Sequence, residues 1–168
     1  METIMLETTG AKHINLNAVE QRIAKHMAKS RYETSRAAGI KNNRKGPQSD
    51  YETDLEGFGS ELAAAKLLNV WPDLDLDVIP DHDLMFNGKT IDVKSTKYKT
   101  GRLCAGLHKV NKSCDYYMLM VGSFPSYRFA GIAAKEDLLN QKNIMNLGWG
   151  ELFALDQDKL NSLEVLKE

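Results

Sequence analysis

Residues 79–94 read Ile-Pro-Asp-His-Asp-Leu-Met-Phe-Asn-Gly-Lys-Thr-Ile-Asp-Val-Lys, and Asn87-Gly88 restricts the fold more than any other pair in the chain. A two-residue type I′ turn needs positive φ at both central positions, which Asn and Gly supply at low cost. Such a turn fixes the register of a hairpin. Phe86 then faces Lys89, Met85 faces Thr90, Leu84 faces Ile91, and Asp83 faces Asp92. Side chains alternate along a strand, so Asp81, Asp83, Asp92 and Lys94 share one face. Leu84, Phe86, Ile91 and Val93 share the other. Facing carboxylates repel one another. Their presence beside a lysine predicts a cation or a substrate that answers them.

Other elements follow from periodicity. Asn17 and Glu20 form a capping-box pattern ahead of Leu16, Val19, Ile23 and Met27, predicting a helix to about Ala38. Its outer face carries Arg22, Lys25, Lys29, Arg31 and Arg36, and Lys41, Arg44 and Lys45 follow in a polar loop. Thr53 and Glu56 match a second capping box, predicting a helix from there to about Asn69. Leu55, Phe58, Leu62, Ala65 and Leu68 form its apolar stripe, and Glu61 lies on or beside that stripe, where an unpaired carboxylate is expensive. Gly57 and Gly59 weaken the helix and imply close approach of another backbone or a ligand. Asp73, Asp75 and Asp77 alternate with Leu74, Leu76 and Val78, which reads as a strand. Residues 94–112 form a basic connection. Residues 116–121 read as a buried strand, 126–132 as its antiparallel neighbour, and 134–140 as a short helix. Residues 1–14 and 151–168 read as irregular apart from a last short helix. The succession predicts an α/β fold with a sheet flanked by helices.

Charge is uneven along the chain. Residues 1–48 carry a net +5, residues 49–92 a net −9, and residues 93–168 a net +3. An acidic centre between basic flanks suits a cation site framed by a polyanion-binding surface, though ordinary solvated surface gives the same pattern. No apolar run approaches the length of a membrane span. The first ten residues lack a basic region followed by an apolar stretch, so no secretory leader is expected. Cys104 and Cys114 match no zinc spacing and are too few for a disulfide scaffold, which makes a reduced cytoplasmic setting the expectation.

Glu61 on a helix, Asp83 on a strand and Asp92-x-Lys94 on the paired strand resemble the PD-(D/E)XK nuclease superfamily, the restriction-endonuclease-like fold. The tandem CDYYMLMVG and YRFAGIA is similar to the later core strands of that superfamily, and the resemblance covers roughly residues 54–140. Small stand-alone members are frequent in phages and mobile elements. The resemblance implies a central mixed sheet of about four to five strands flanked by helices, with an N-terminal basic helix. It divides the chain into a basic helical arm at 1–48, packed on a nuclease-like core at 49–168.

The implied activity is metal-dependent hydrolysis of DNA phosphodiester bonds in a host or cellular cytoplasm. Magnesium, with manganese as a substitute, takes oxygen ligands. By resemblance these are Asp83, Asp92 and the Val93 carbonyl, with Glu61 binding a second ion, orienting the first or anchoring Lys94. Lys94 steers or deprotonates the attacking water. Pro80-Asp81 supplies a literal Pro-Asp pair, so either Asp81 or Asp83 matches the family's first aspartate. Pairing favours Asp83, and a bulge in the hairpin exchanges the two roles. Ser95 can touch a phosphate or simply end a strand. Tyr98 and Tyr127 can stack on bases or pack. Lys97, Lys99 and Arg102 join the N-terminal cations as candidate DNA contacts. A homodimer would cut two strands most simply, but the sequence shows no interface and leaves the oligomeric state open; no membrane partner is expected. The competing readings are an inactive nucleic-acid-binding module of the same fold and a phage structural or interaction protein.

Overall fold

The computed structural model describes residues 12–40, 49–76 and 81–168. The elements run β1 (His13–Asn15), α1 (Ala18–Ala37), α2 (Asp50–Leu68), β2 (Leu84–Phe86), β3 (Lys89–Thr96), β4 (Leu103–Ala105), β5 (Tyr116–Ser123), β6 (Ser126–Ala134), α3 (Lys135–Leu138), β7 (Ile144–Asn146) and β8 (Glu151–Leu155). Short 3₁₀ turns occupy Leu107–Asn111, Gln141–Asn143, Gln157–Lys159 and Leu163–Leu166.

Five strands form a mixed sheet in the order β1-β6-β5-β3-β2. Only β3 and β5 are parallel, with Asp92 beside Tyr117 and Lys94 beside Leu119. Parallel neighbours need a long crossover. Here the basic connection supplies it, with β4 and a 3₁₀ turn in place of a full helix. The Asn-Gly register holds: Leu84 pairs with Ile91, Met85 with Thr90 and Phe86 with Lys89. Asn87 and Gly88 sit at φ 50° and 73°, the left-handed values that a type I′ turn requires.

Alternation along β3 and β5 feeds two cores. Ile91, Val93, Met118 and Met120 pack beneath α2 against Phe58, Leu62 and Ala65. Tyr117, Leu119 and Val121 point to the opposite face. That face is covered by a second, three-stranded antiparallel sheet in the order β4-β8-β7, through Leu103, Ala105, Phe153 and Leu155. The layers are therefore helices, mixed sheet, small sheet. The N-terminal segment expected as a basic arm adds β1 to the sheet edge and places Ile14, Leu16, Ala24 and Met27 in the helix-side core. Among the described residues no helix is long and apolar enough to cross a membrane.

Three local expectations are corrected. Helix α2 begins four residues early, capped by Ser49 and Glu52 in a reciprocal box. Glu56 therefore does not cap the helix, and its carboxylate accepts from the Phe124 N–H and from the Tyr127 hydroxyl. Residues 71–76 form no strand, and 77–80 lie outside the described residues. Residues 13–15 and 151–155, expected to be irregular, are strands.

Candidate active site

Asp83 is the centre of the arrangement, and the backbone explains why. Its N–H donates to the Ile91 carbonyl at 2.9 Å. Leu84 also pairs with Ile91, so two residues oppose one, the count of a β-bulge. In a regular ladder the Val93 N–H would find the carbonyl of residue 82. Instead it donates to Asp83 Oδ2 at 2.7 Å. The carboxylate thus terminates the ladder, and its position is fixed by backbone. The bulge does not hand the role to Asp81, which is turned to Lys112 Nζ at 3.0 Å and accepts from the Ser113 N–H at 3.2 Å.

Asp92 points from β3 toward the small-sheet side and is only 4% exposed. Both of its oxygens are held: Oδ1 by Lys94 Nζ at 2.5 Å and Oδ2 by Lys109 Nζ at 2.6 Å. Burial alone would depress the Lys109 ammonium, but the Asp92 contact and nearby Asp83 hold it above its ordinary value. Cys114 lies on the same side. Burial and then the Asp92 charge push its thiol up to about 11, which keeps it protonated and unreactive.

Glu61 approaches from the opposite layer, on α2, and is 13% exposed. Arg31 of α1 grips it with two parallel bonds of 3.1 Å, and the guanidinium also lies 4.8 Å from the centroid of the Phe58 ring. Burial and then the Asp83 carboxylate push the Glu61 acid up to about 7, against the pull of Arg31. Asp83 is itself raised, by burial first and by Asp92 second. The Asp83 carboxylate thus disfavours the charged form of Glu61 and is itself disfavoured by the Asp92 charge. Glu61 comes from α2 and Asp92 from β3, and Asp83, just ahead of β2, lies within electrostatic reach of both.

The sequence predicts that a cation or a substrate answers the acids, and side chains of the chain itself already pair with two of them. Arg31, Lys94 and Lys109 do so from within. Among the described residues no three His, Cys, Asp or Glu side chains converge closely enough to hold an ion between them. The donor chemistry nevertheless suits a hard cation. All three groups are carboxylates, and Asp83 Oδ1 takes no hydrogen bond from the described residues. Each Asp92 oxygen carries one ammonium, so an ion binding there would share or displace one of them.

The remaining predicted residues divide clearly. Val93 is buried and contributes its N–H to Asp83. Ser95 is exposed and lines a cleft that opens from Lys94. Arg22, Lys25 and Lys29 are exposed on α1. Arg31 is not a free surface cation, and Arg36 is tied to Asp50 at 3.1 Å. Lys41, Arg44 and Lys45 lie outside the described residues. Lys97 and Lys99 are exposed, while Arg102 pairs with Asp156 at 2.6 Å. Tyr127 is buried and serves the core, whereas Tyr98 is 67% exposed. Sequence reasoning missed Lys109 as a site residue and misassigned Arg31. Their partners stand 17 and 30 residues away, beyond any local periodicity.

Comparison with protein-family models, with curated proteins and with solved structures finds no match.

Proposed function

We propose that the chain is a metal-dependent DNA endonuclease of the PD-(D/E)XK type, with a restriction-endonuclease-like fold, using Mg²⁺ or Mn²⁺. The observation that carries this reading is the buried carboxylate of Asp92 beside the half-buried carboxylate of Asp83, with Lys94 on Asp92. A buried acid is costly without positive charge, and an oxygen-only donor set selects hard cations. In this reading Asp83 and Asp92 hold the ion, the Val93 carbonyl adds an oxygen, and Glu61 binds a second ion or orients the first. The ion supplies Lewis acidity and a nucleophilic water at neutral pH. Lys94, beside Asp92 Oδ1, orients the attacking water and offsets charge on the phosphate. The attacking water gives a proton to solvent as its oxygen bonds to phosphorus and the bond to the 3′ oxygen breaks, and the leaving oxygen takes a proton from solvent. Arg31 acts through Glu61 as a positioning residue. Arg22, Lys25 and Lys29 contact the DNA backbone.

The test is incubation of supercoiled, linear, branched and single-stranded DNA with Mg²⁺ or Mn²⁺. Wild type should cleave at least one substrate, and Asp92→Ala and Lys94→Ala should each lose about 10²-fold or more. No cleavage by folded wild type, or an Asp92→Ala variant indistinguishable from it, refutes the reading.

A second reading has its own support. Because Arg31, Lys94 and Lys109 already neutralise the acids, the cluster suffices as an internal charge network. The chain would then be a nucleic-acid-binding module without turnover. Salt-dependent binding with no metal-dependent hydrolysis selects it.

A further inference from the structure

A cavity of about 480 Å³ opens beside Lys94, between the end of β3, the turn that follows it, and Leu147 beyond β7. Its lining is not that of a core void. Ser95, Thr96 and Thr100 supply hydroxyls, Lys94 and Arg102 supply charge, and Tyr98 supplies an aromatic ring.

The turn that carries Tyr98 is held in place on several sides. The Gly101 N–H donates to the Tyr98 carbonyl at 2.9 Å, and the Tyr98 N–H donates to Thr96 Oγ1 at 3.2 Å. Arg128 and Gln157 each bond the Lys99 carbonyl at 3.0 Å, and Gln157 also bonds the Gly101 carbonyl at 2.8 Å. Gly101 is required here, because a Cβ would stand 2.5 Å from the Thr96 side chain. Yet the ring these contacts support is 67% exposed. A backbone this firmly pinned, presenting an aromatic ring to water, has already lost the entropy that binding would otherwise cost. The Lys97 ammonium lies 5.5 Å from the ring centroid, and Trp149, two residues past Leu147, is 63% exposed.

We propose that this cleft binds one unstacked nucleotide of a single strand, with its base on Tyr98 and its phosphates among the hydroxyls, Lys97 and Arg102. Aromatic stacking beside a cation is how sequence-tolerant single-strand surfaces work. A cavity of this volume is roughly 8 Å on edge, the size of a small-ligand site and too narrow for a duplex. The strand leaving it passes Lys94. The proposal deepens the nuclease reading and rests on it: the substrate delivered to Asp83 and Asp92 is a single strand or a single-stranded arm.

The test is fluorescence anisotropy of labelled oligothymidine, oligouridine and a blunt hairpin duplex in EDTA, where no cleavage occurs. Single strands should bind at least tenfold more tightly than the duplex, with the DNA and RNA arms showing which sugar is preferred. Tyr98→Ala should weaken single-strand binding about tenfold, within the range that stacking contributes, and Tyr98→Phe should restore it. Equal affinity for the duplex, or unchanged affinity in Tyr98→Ala, overturns the proposal. Cleavage assays on the same proteins separate the two ideas. Single-strand binding without any cleavage supports the cleft and removes the nuclease; duplex cleavage without single-strand binding does the reverse.

Discussion

Replacing Lys109 by Met is the most informative single perturbation of the charge cluster. Met keeps an unbranched side chain of similar reach and removes the ammonium. In the metal-free protein Asp92 Oδ2 loses a 2.6 Å charge-assisted bond while Lys94 stays on Oδ1. Losing one partner of a buried pair costs about 3–5 kcal/mol when the remaining charge is left alone, and a hydrogen bond to a charged group contributes about 1.5–3 kcal/mol. Because Asp92 keeps Lys94, the lower range applies, and urea melts in EDTA should show a loss of about 1.5–3 kcal/mol. If an ion takes the place of Lys109 on Oδ2, that cost disappears when the site is saturated. The stability gap should then close as Mg²⁺ is added. By linkage, Lys109→Met should bind Mg²⁺ tighter by the same free energy, about 10- to 150-fold. A gap that persists at saturating Mg²⁺ would show that Lys109 and the ion do not compete, and no loss in EDTA would show that its bond to Asp92 contributes nothing.

Further outcomes follow from the same geometry. Glu61 binds its proton more tightly when folded, with its acid moved from 4.5 to about 7, so metal-free stability should fall as pH rises through that window. Asp83, also raised, adds to the same trend. Thermal melts of Glu61→Gln in EDTA should show a flatter profile there; an identical slope would contradict the assignment. Gly59→Ala should destabilise by about 1–3 kcal/mol, because its Cβ would stand 2.6 Å from the Tyr127 hydroxyl and 2.9 Å from Phe124 Cδ2. Gly57→Ala meets nothing within 4 Å and should stabilise α2 by up to about 1 kcal/mol, so equal denaturation midpoints for the two variants would refute the packing account.

What the sequence disclosed follows the range of each signal. Asn87-Gly88 is a local signal, and it located the hairpin register to the residue. Asn17 and Glu20 did the same for the start of α1. The second helix was misread because two capping-box patterns stand four residues apart. Ser49-x-x-Glu52 wins, leaving Glu56 to bond the β5–β6 turn, a tertiary contact that no local pattern announces. The alternating acids at 73–77 fit a strand by period, but Asp73 Oδ1 accepts from the Asp75 N–H at 2.9 Å, a local bond that competes with a ladder. The small sheet was missed because β4 and β7 have three residues each, too short for alternation to register. In the site, Asp92 and Lys94 meet on one face of β3 as strand period requires, but Asp83, expected to face Asp92, is shifted by the bulge and takes the Val93 N–H on its carboxylate. The neutralisation of the acids was not legible: Arg31 and Lys109 meet their partners only through packing of α1 on α2 and the return of the crossover over β3.

The central claim is that Asp83 and Asp92 together hold a divalent ion. Calorimetric titration of the folded protein with Mn²⁺ tests it without requiring a substrate. Saturable binding of one or two ions per chain is expected, weakened by about a hundredfold or more in Asp83→Asn and in Asp92→Asn. Wild-type protein that takes up no Mn²⁺, or variants that bind it as wild type does, would contradict the claim.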